Sequence, residues 1–130
     1  MGLAIGVDLG GTKIAAGVVD DSGNILEQVS RPTPTSSSED IVRAIADLVN
    51  DLASRHSVEA ACVAAPSFVD SNRSRVMVTA NLPMVDFNLR GAVEELVGIT
   101  VVVENDANAA AWAEVRYGAA RHSRNMVMLT

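Results

Sequence analysis

Cysteine is almost absent from this sequence, since Cys62 is the only one in 130 residues. A single cysteine excludes an intramolecular disulfide and a cluster of thiolate metal ligands within the chain. Its neighbours are small or apolar, in the order Ala60-Ala61-Cys62-Val63-Ala64. We therefore expect the thiol to fill space in a core rather than to act as a nucleophile.

Basic residues and long apolar runs are also scarce. The chain has 10 Lys and Arg residues against 16 Asp and Glu residues, which gives a formal net charge of −6. Nucleic acids and anionic membranes attract basic surfaces, so we expect neither as a partner. No apolar stretch approaches the ~20 residues of a membrane span, and the N-terminus lacks the basic start and cleavage site of a secretory signal. These absences predict a cytoplasmic protein.

Aromatic residues make up only 3% of the chain, whereas 48% of the residues are hydrophobic. Ala, Val and Gly fill the chain instead. Small aliphatic residues suit closely packed α/β layers, and their abundance argues against disorder. The length is that of a single domain.

The first half of the chain reads as strands followed by a helix. Alternating apolar residues predict strands at residues 4–9, 14–19 and 25–30, which form an antiparallel meander. Apolar residues at spacings of three and four then predict an amphipathic helix over residues 41–55, with an N-cap from the serines before it.

The second half alternates strand and helix patterns. A continuous apolar run at residues 58–65, which Pro66 ends, predicts a buried strand. The other predicted elements are a short edge strand (75–78), a helix (89–97) with Gly98 as its C-cap, a buried strand (100–104) and a helix (107–117).

Two residues that often serve as ligands have structural interpretations here. His56 follows the first helix directly, and a cation there complements the helix dipole, so we expect it to be a surface cap. Trp112 lies inside the last predicted helix, and we expect it to be part of the core.

A glycine-rich bend follows the first predicted strand, in the order Asp8-Leu9-Gly10-Gly11-Thr12-Lys13. Two adjacent glycines supply the positive φ angles of a tight hairpin turn, so a plain hairpin explains them. Glycines also leave backbone N–H groups accessible to phosphate oxygens, and the flanking carboxylate, hydroxyl and ammonium groups suit a magnesium-bound polyphosphate. The spacing alone supports both interpretations, and it matches neither the GxxxxGK[ST] nor the GxGxxG motif.

A second group of polar residues lies where the strand at residues 100–104 runs into the alanine-rich helix. Asn105 and Asp106 stand at this junction. Open α/β sheets bind ligands where the end of a strand faces the start of a helix. An N-cap is the structural alternative for Asp106, although Ala109 stands where a capping box needs Glu or Gln.

Residues 125–130 begin a new apolar run at the end of the sequence. A natural domain rarely ends at the opening of a buried strand. We therefore expect residues 1–124 to form an N-terminal domain and residues 125–130 to begin a truncated C-terminal domain.

Three motifs, taken in order, resemble the N-terminal domain of the ROK family of bacterial sugar kinases and sugar-responsive repressors. They are DLGGTK at residues 8–13, ANLP at residues 80–83 and ENDANAAAWAE at residues 104–114. The similarity extends over essentially the full length of the chain. It implies a ribonuclease-H-like (actin-like ATPase) α/β domain, in which a mixed five-stranded sheet is flanked by helices.

The resemblance also implies an activity, namely the ATP-dependent phosphorylation of a hexose, with glucose converted to glucose 6-phosphate. Asp106 corresponds to the catalytic base, and Asn81 and Asn105 correspond to ligands of the sugar hydroxyls. The turn Gly10-Gly11-Thr12 corresponds to a phosphate loop. We add Lys13 as a further phosphate contact and Asp8 as a magnesium ligand that acts through water.

ATP and Mg²⁺ are therefore the expected cofactors, and the chain is the N-terminal half of the expected enzyme. The resemblance implies a cysteine-bound zinc only in a C-terminal domain, and we expect the full-length protein to be a homodimer. Ser67-Phe68 replaces the small residue or Gly that relatives usually carry after the strand ending at Pro66, and Val85 stands where many carry Trp. Both differences touch the sugar side of the site, so they leave the identity of the hexose open.

A sugar-binding ROK regulator without catalysis is the alternative, and a non-catalytic domain that only shares the fold is another. ROK regulators normally carry a DNA-binding helix-turn-helix ahead of the first strand. Here the first predicted strand begins within a few residues of Met1, so we expect no such motif.

Overall fold

The computed structural model describes residues 2–130, which form eight strands and three helices. In chain order these are β1 (Leu3–Leu9), β2 (Lys13–Val19), β3 (Ile25–Pro32), α1 (Ser38–Ala53), β4 (Val58–Ala65), β5 (Ser67–Val69), β6 (Val76–Thr79), β7 (Val85–Phe87), α2 (Leu89–Val97), β8 (Thr100–Asn105) and α3 (Asp106–Tyr117).

Five of the strands form one mixed sheet in the order β3-β2-β1-β4-β8. The pairs β1–β2 and β2–β3 are antiparallel, whereas β1–β4 and β4–β8 are parallel. The predicted meander and the predicted mixed five-stranded sheet are both confirmed. Because β1, β4 and β8 run in the same direction, their carboxyl ends meet at one edge of the sheet.

One face of this sheet carries the hydrophobic core. In β1 the side chains of Ile5, Val7 and Leu9 are buried, while the alternate residues Gly6 and Asp8 are exposed. Helices α1 and α2 pack together against the buried side. The apolar stripe of α1 is buried along its length, as its spacing predicts. Each fully buried aliphatic side chain contributes about 1.5–3 kcal/mol to stability.

The opposite face of the sheet is lined by small residues, and α3 lies over it. None of the residues of α3 is buried. A cavity of about 550 Å³ lies between the helix and the sheet, and its lining includes Gly6, Cys62 and Ala64. Trp112 is 64% exposed. Its prediction as a core residue is wrong because Trp112 lines an open cavity of about 600 Å³ with Arg73 and Met126 instead of packing among buried side chains.

A second, three-stranded sheet has the order β5-β6-β7. The predicted edge strand at residues 75–78 appears as β6, whereas β5 and β7 were not predicted. Both have only three residues, which is too short for an alternating pattern to be recognised. Phe68, Val78 and Val85 are exposed on this sheet.

The bend between β1 and β2 differs from the predicted turn. The glycines with positive φ in the described chain are Gly23 and Gly98, so Gly10 and Gly11 do not form a primed turn. Gly10 is required for a different reason, because a Cβ atom there would lie 2.8 Å from the carbonyl oxygen of Lys13. The Gly10 N–H donates to that oxygen at 3.0 Å and closes the bend.

His56 is not a surface helix cap. Helix α1 ends at Ala53 with Ser54 as its C-cap, and the Nε2 atom of the partly buried His56 lies 2.7 Å from Oε2 of Glu27 on β3. The prediction is wrong because the ring turns to this carboxylate rather than to the helix end. The hydrogen bonds from Arg55 lower the pKa of Glu27 most, and the hydrogen bond from His56 lowers it further.

The predicted end of the second helix is confirmed. Helix α2 ends at Gly98, whose φ of 69° makes it the predicted C-cap. Residues 125–130 have no regular secondary structure, and Val127 and Leu129 are exposed, so the domain boundary at residue 124 stays a prediction. No helix within residues 2–130 has the length and hydropathy of a membrane span.

Candidate functional site

The carboxyl ends of the parallel strands bring two acidic residues together. Asp8 near the end of β1 pairs in register with Ala64 of β4, and Ala64 pairs with Glu104 of β8. Helix α3 begins directly after β8, so Asp106 reaches the same edge. Asp8 and Asp106 both line a pocket of about 360 Å³ whose other walls are mainly alanines. The two carboxylates predicted for the site therefore share one pocket.

The bend at residues 10–12 presents backbone N–H groups to solvent. Gly11 and Thr12 are exposed, and within residues 2–130 their N–H groups donate to no acceptor. The carbonyl groups of the bend are bonded instead, because the Thr33 hydroxyl donates to the Gly10 oxygen at 2.7 Å and the Thr33 N–H donates to the Thr12 oxygen at 2.9 Å. Unpaired N–H groups at a sharp bend suit an anion such as a phosphate group.

The turn that carries Asn81 lies against this bend. A Cβ atom on Gly11 would lie 3.4 Å from the Cβ atom of Asn81. The Thr79 hydroxyl oxygen lies 2.7 Å from the Leu82 oxygen and 3.0 Å from the Met84 oxygen, and its single O–H holds the turn by donating to this pair of carbonyl groups. Asn81 itself is exposed beside the bend. The structure thus brings two motifs together that are about seventy residues apart in sequence.

Asn105, and not Asp106, is the N-cap of α3. Its Oδ1 atom accepts from the Asn108 N–H at 3.0 Å, and its Nδ2 atom donates to the Ser67 oxygen at 3.0 Å. Asp106 is the first residue of the helix, and its Oδ1 atom accepts from the Ala107 N–H at 2.8 Å. The other carboxylate oxygen of Asp106 accepts no hydrogen bond from the described residues, so it is available to a ligand.

Of the predicted site residues, only Asp8 and Asp106 line the shared pocket, and those of the bend, Asn81 and Asn105 lie outside it. Both the Nδ2 and the Oδ1 atoms of Asn105 make a hydrogen bond within the protein, and each retains the capacity for one more. Lys13 is exposed at the start of β2, and neither Lys13 nor Asn81 lines the pocket of Asp8 and Asp106. The structure therefore gives two neighbouring groups, the acidic pocket and the bend with Asn81, joined by the end of β1.

A glutamate and an arginine support the start of α3, and sequence patterns did not reveal them. The Oε1 atom of Glu104 accepts from the Asn105 N–H at 2.8 Å, and its Oε2 atom lies 3.6 Å from Nε of Arg73. Arg73 has an unusual φ of 54°, and its carbonyl oxygen accepts from the Val103 N–H at 2.9 Å on the edge of β8. Glu104 is the first residue of the third motif, so its position in that motif could have identified it as part of the site.

The profile of the ROK family matches residues 4–130 of the sequence. The chain belongs to the ROK family. The resemblance inferred from its three motifs is confirmed.

Two curated relatives and one solved structure illustrate the similarity of this ROK chain. A glucokinase from Streptomyces coelicolor is 48% identical over 130 residues, which are 100% of this chain and 41% of that protein. An N-acetylmannosamine kinase from Yersinia pseudotuberculosis is 34% identical over 115 residues, which are 88% of this chain and 39% of that protein. The chain thus spans about two fifths of the length of these curated relatives.

The solved structure is that of a ROK family glucokinase from Streptomyces griseus in complex with glucose and AMPPNP. It is 50% identical and superposes with a TM-score of 0.87, covering 91% of this chain and 38% of that chain. The predicted actin-like ATPase fold of the ROK chain is thereby confirmed.

The single cysteine of this ROK chain lies beside the hydrophobic core and borders two cavities. Cys62 is partly buried beneath α3, and burial raises the pKa of its thiol. A thiol with a raised pKa is a poor nucleophile, but the prediction that Cys62 fills space in the core is not confirmed, because it is only partly buried. Within residues 2–130 no three His, Cys, Asp or Glu side chains are grouped to chelate a metal ion.

Proposed function

We propose that this chain is the N-terminal half of an ATP-dependent ROK hexose kinase whose substrate is glucose. The observation that carries the proposal is the shared pocket of Asp8 and Asp106, next to a bend with two unpaired N–H groups. The glucokinase relatives, and the relative with bound glucose and AMPPNP, support the choice of substrates. The choice of glucose as the sugar rests on the glucokinases alone, since an N-acetylmannosamine kinase is also similar to the chain.

Asp106 is the proposed catalytic base. A sugar hydroxyl is a weak nucleophile at neutral pH, so a carboxylate must accept its proton as the oxygen attacks the γ-phosphorus of ATP. Asp106 has one carboxylate oxygen without an internal partner at the rim of the pocket. A positioned base of this kind contributes about 10²- to 10⁴-fold to the rate.

The bend is the proposed phosphate contact. Gly11 and Thr12 offer unpaired N–H groups, Gly10 closes the bend through its own bonded N–H and carbonyl groups, and Lys13 adds a positive charge beside them. Preorganised N–H groups stabilise the charge on the phosphates without reorganising during the reaction.

Asp8 fits a magnesium ion held through water. It is a single exposed carboxylate, and Mg²⁺ typically keeps several waters while binding one or two carboxylates and substrate phosphates. The ion would supply neutralisation of phosphate charge. Asp8 would hold it from the end of β1, in the pocket that it shares with the proposed base.

Asn81 and Asn105 are the proposed ligands of the sugar hydroxyls. Asn81 stands free beside the bend, so both ends of its amide can bind a hydroxyl. Asn105 retains one N–H for the sugar while it caps α3. Its cap fixes the amide next to Asp106, which orients the hydroxyl toward the base.

The complete protein is proposed to carry a second domain, because its curated relatives are more than twice as long as this chain. Residues 1–124 would form the first domain, and residues 125–130 would lead into the next. We further propose a cytoplasmic homodimer. A sugar-binding regulator without catalysis remains the alternative, and it would bind hexose with no turnover.

The substitution Asp106→Asn in the complete protein tests the proposal. We expect kcat for glucose phosphorylation to fall at least about a hundredfold, because the amide accepts no proton, while the Kd for glucose stays within a few fold. Coupled-assay kinetics and calorimetry measure the two quantities. Glu95→Gln, which changes an exposed carboxylate on α2, is the matched control.

Four outcomes are informative. Near-normal turnover of Asp106→Asn removes Asp106 from the role of base. Glucose binding by a wild-type protein that does not turn over favours the regulator, and binding of neither glucose nor magnesium-ATP leaves only a shared fold. Faster turnover of N-acetylmannosamine than of glucose retains the kinase and changes its substrate.

A further inference from the structure

Thr33 is a buried polar residue outside the predicted site. It lies in the connector between β3 and α1, and only 7% of it is exposed. A buried hydroxyl without a partner is costly, so the partners of Thr33 indicate what it does. Both of its donors reach the glycine-rich bend, 21 to 23 residues earlier in the chain.

The two hydrogen bonds of Thr33 have different consequences. Its N–H donates to the Thr12 oxygen at 2.9 Å and continues the pairing of β3 with β2. Its hydroxyl donates to the Gly10 oxygen at 2.7 Å, which no strand pairing requires. Only the hydroxyl bond therefore depends on the identity of the side chain.

The hydroxyl bond determines which way one N–H group of the bend points. The peptide bonds are trans, and in a planar trans peptide the C=O of one residue and the N–H of the next point in opposite directions. Because the Gly10 oxygen points inward to Thr33, the Gly11 N–H points away from it. That N–H has no acceptor in the described chain, and Gly11 is exposed.

We infer that Thr33 is a positioning residue that holds the Gly11 N–H outward for an anionic ligand. The inference rests on the proposed function, in which the ligand is the phosphate chain of ATP. Thr33 makes no contact with that ligand itself. It removes the freedom of the Gly10–Gly11 peptide to rotate, so the N–H is preorganised before the anion arrives.

The test is Thr33→Val in the complete protein, with Thr33→Ser as the matched control. Valine keeps the shape and the backbone N–H but lacks the hydroxyl, whereas serine keeps the hydroxyl. We expect Thr33→Val to raise the Kd for AMPPNP about three- to tenfold, the value of one hydrogen bond, with the Kd for glucose unchanged. Thr33→Ser should bind AMPPNP within about twofold of the wild type.

The outcomes separate this inference from the proposed function. A wild-type protein that binds no AMPPNP overturns both. If the wild type binds and a folded Thr33→Val binds equally well, the inference alone fails. It also fails if glucose and AMPPNP affinities fall together, because that is the result of a general loss of structure.

A measurement on the wild type covers the case in which Thr33→Val does not fold. With ¹⁵N-glycine labelling, the Gly11 amide resonance should shift on addition of AMPPNP and should not shift on addition of adenosine, which lacks phosphate. An unshifted Gly11 resonance in the presence of bound AMPPNP overturns the inference.

Discussion

Alanine substitutions at Gly10 and Gly11 should separate folding from nucleotide binding, although the two residues are adjacent. Neither glycine has a positive φ, so backbone strain does not distinguish them. A Cβ atom on Gly10 would lie 2.8 Å from the carbonyl oxygen of Lys13, a backbone atom that must move with the hairpin. A Cβ atom on Gly11 would meet only the Cβ atom of Asn81, at the ordinary distance of 3.4 Å.

The magnitudes follow from these distances. An overpacked site costs about 1–3 kcal/mol, and replacing glycine stiffens the unfolded chain and returns about 0.4–1 kcal/mol. Gly10→Ala should therefore destabilise the fold by roughly 0.5–2 kcal/mol, which lowers Tm by about 2–10 °C. Gly11→Ala lacks the clash, so its Tm should stay the same or rise slightly.

Gly11→Ala should weaken nucleotide binding even though it leaves the stability of the fold unchanged. Its methyl group would stand on the exposed side of the bend and keep a phosphate oxygen from the N–H groups. The loss of a hydrogen bond to a charged group costs about 1.5–3 kcal/mol, which corresponds to about 10- to 100-fold weaker binding of AMPPNP.

Thermal unfolding followed by circular dichroism and calorimetric binding of AMPPNP measure both effects on the same preparations. The reasoning is refuted if Gly11→Ala lowers Tm as much as Gly10→Ala does. It is also refuted if Gly11→Ala binds AMPPNP as tightly as the wild type.

Two further predictions concern acid stability and the isolated chain. Hydrogen bonds from Arg55 and His56 hold the pKa of Glu27 below its ordinary value of 4.5, so Glu27 stabilises the fold above that pH and this stabilisation is lost as the pH falls through the lowered pKa. Thermal unfolding between about pH 6 and pH 3 should therefore show a steeper loss of Tm in the wild type than in Glu27→Gln, and parallel curves would contradict this. The isolated 130-residue chain, which spans 41% of a glucokinase relative, should show no measurable glucose phosphorylation in a coupled assay, and robust turnover would overturn the need for a second domain.

The elements that the sequence predicted well are those determined by neighbouring residues. Strand β4 has the predicted bounds because a continuous apolar run meets a proline, and proline cannot continue the ladder. Helix α2 ends where Gly98 adopts the left-handed conformation that other residues avoid. The apolar spacing of α1 likewise determines which side of that helix faces the sheet.

The candidate site was predicted only where residues adjacent in sequence form a motif. The motifs named Asp8, Asp106 and the bend, and the parallel order of the strands explains why the two carboxylates share a pocket. Thr33 could not be identified, because nothing near it in sequence shows that its hydroxyl reaches Gly10.

The N-cap interpretation of Asp106, which was the structural alternative to a catalytic role, is wrong, because the adjacent Asn105 caps α3. Asn105 and Asp106 are both good caps, and the last residue pair of the β4–β8 ladder decides between them. Arg73 depends on a contact with the edge of β8 that no local pattern encodes.

The sparse packing of α3 against the sheet has a consequence for Asp106, the proposed base at the start of this helix. Because no side chain of α3 is buried, the helix gains little from hydrophobic contact and relies on its two ends. Asn105 joins one end to Ser67, and the Tyr117 hydroxyl joins the other to the Asp21 oxygen at 3.3 Å. A helix held mainly at its ends has low local stability, so we expect the orientation of the Asp106 carboxylate to depend on the hydrogen bond between Asn105 and Ser67.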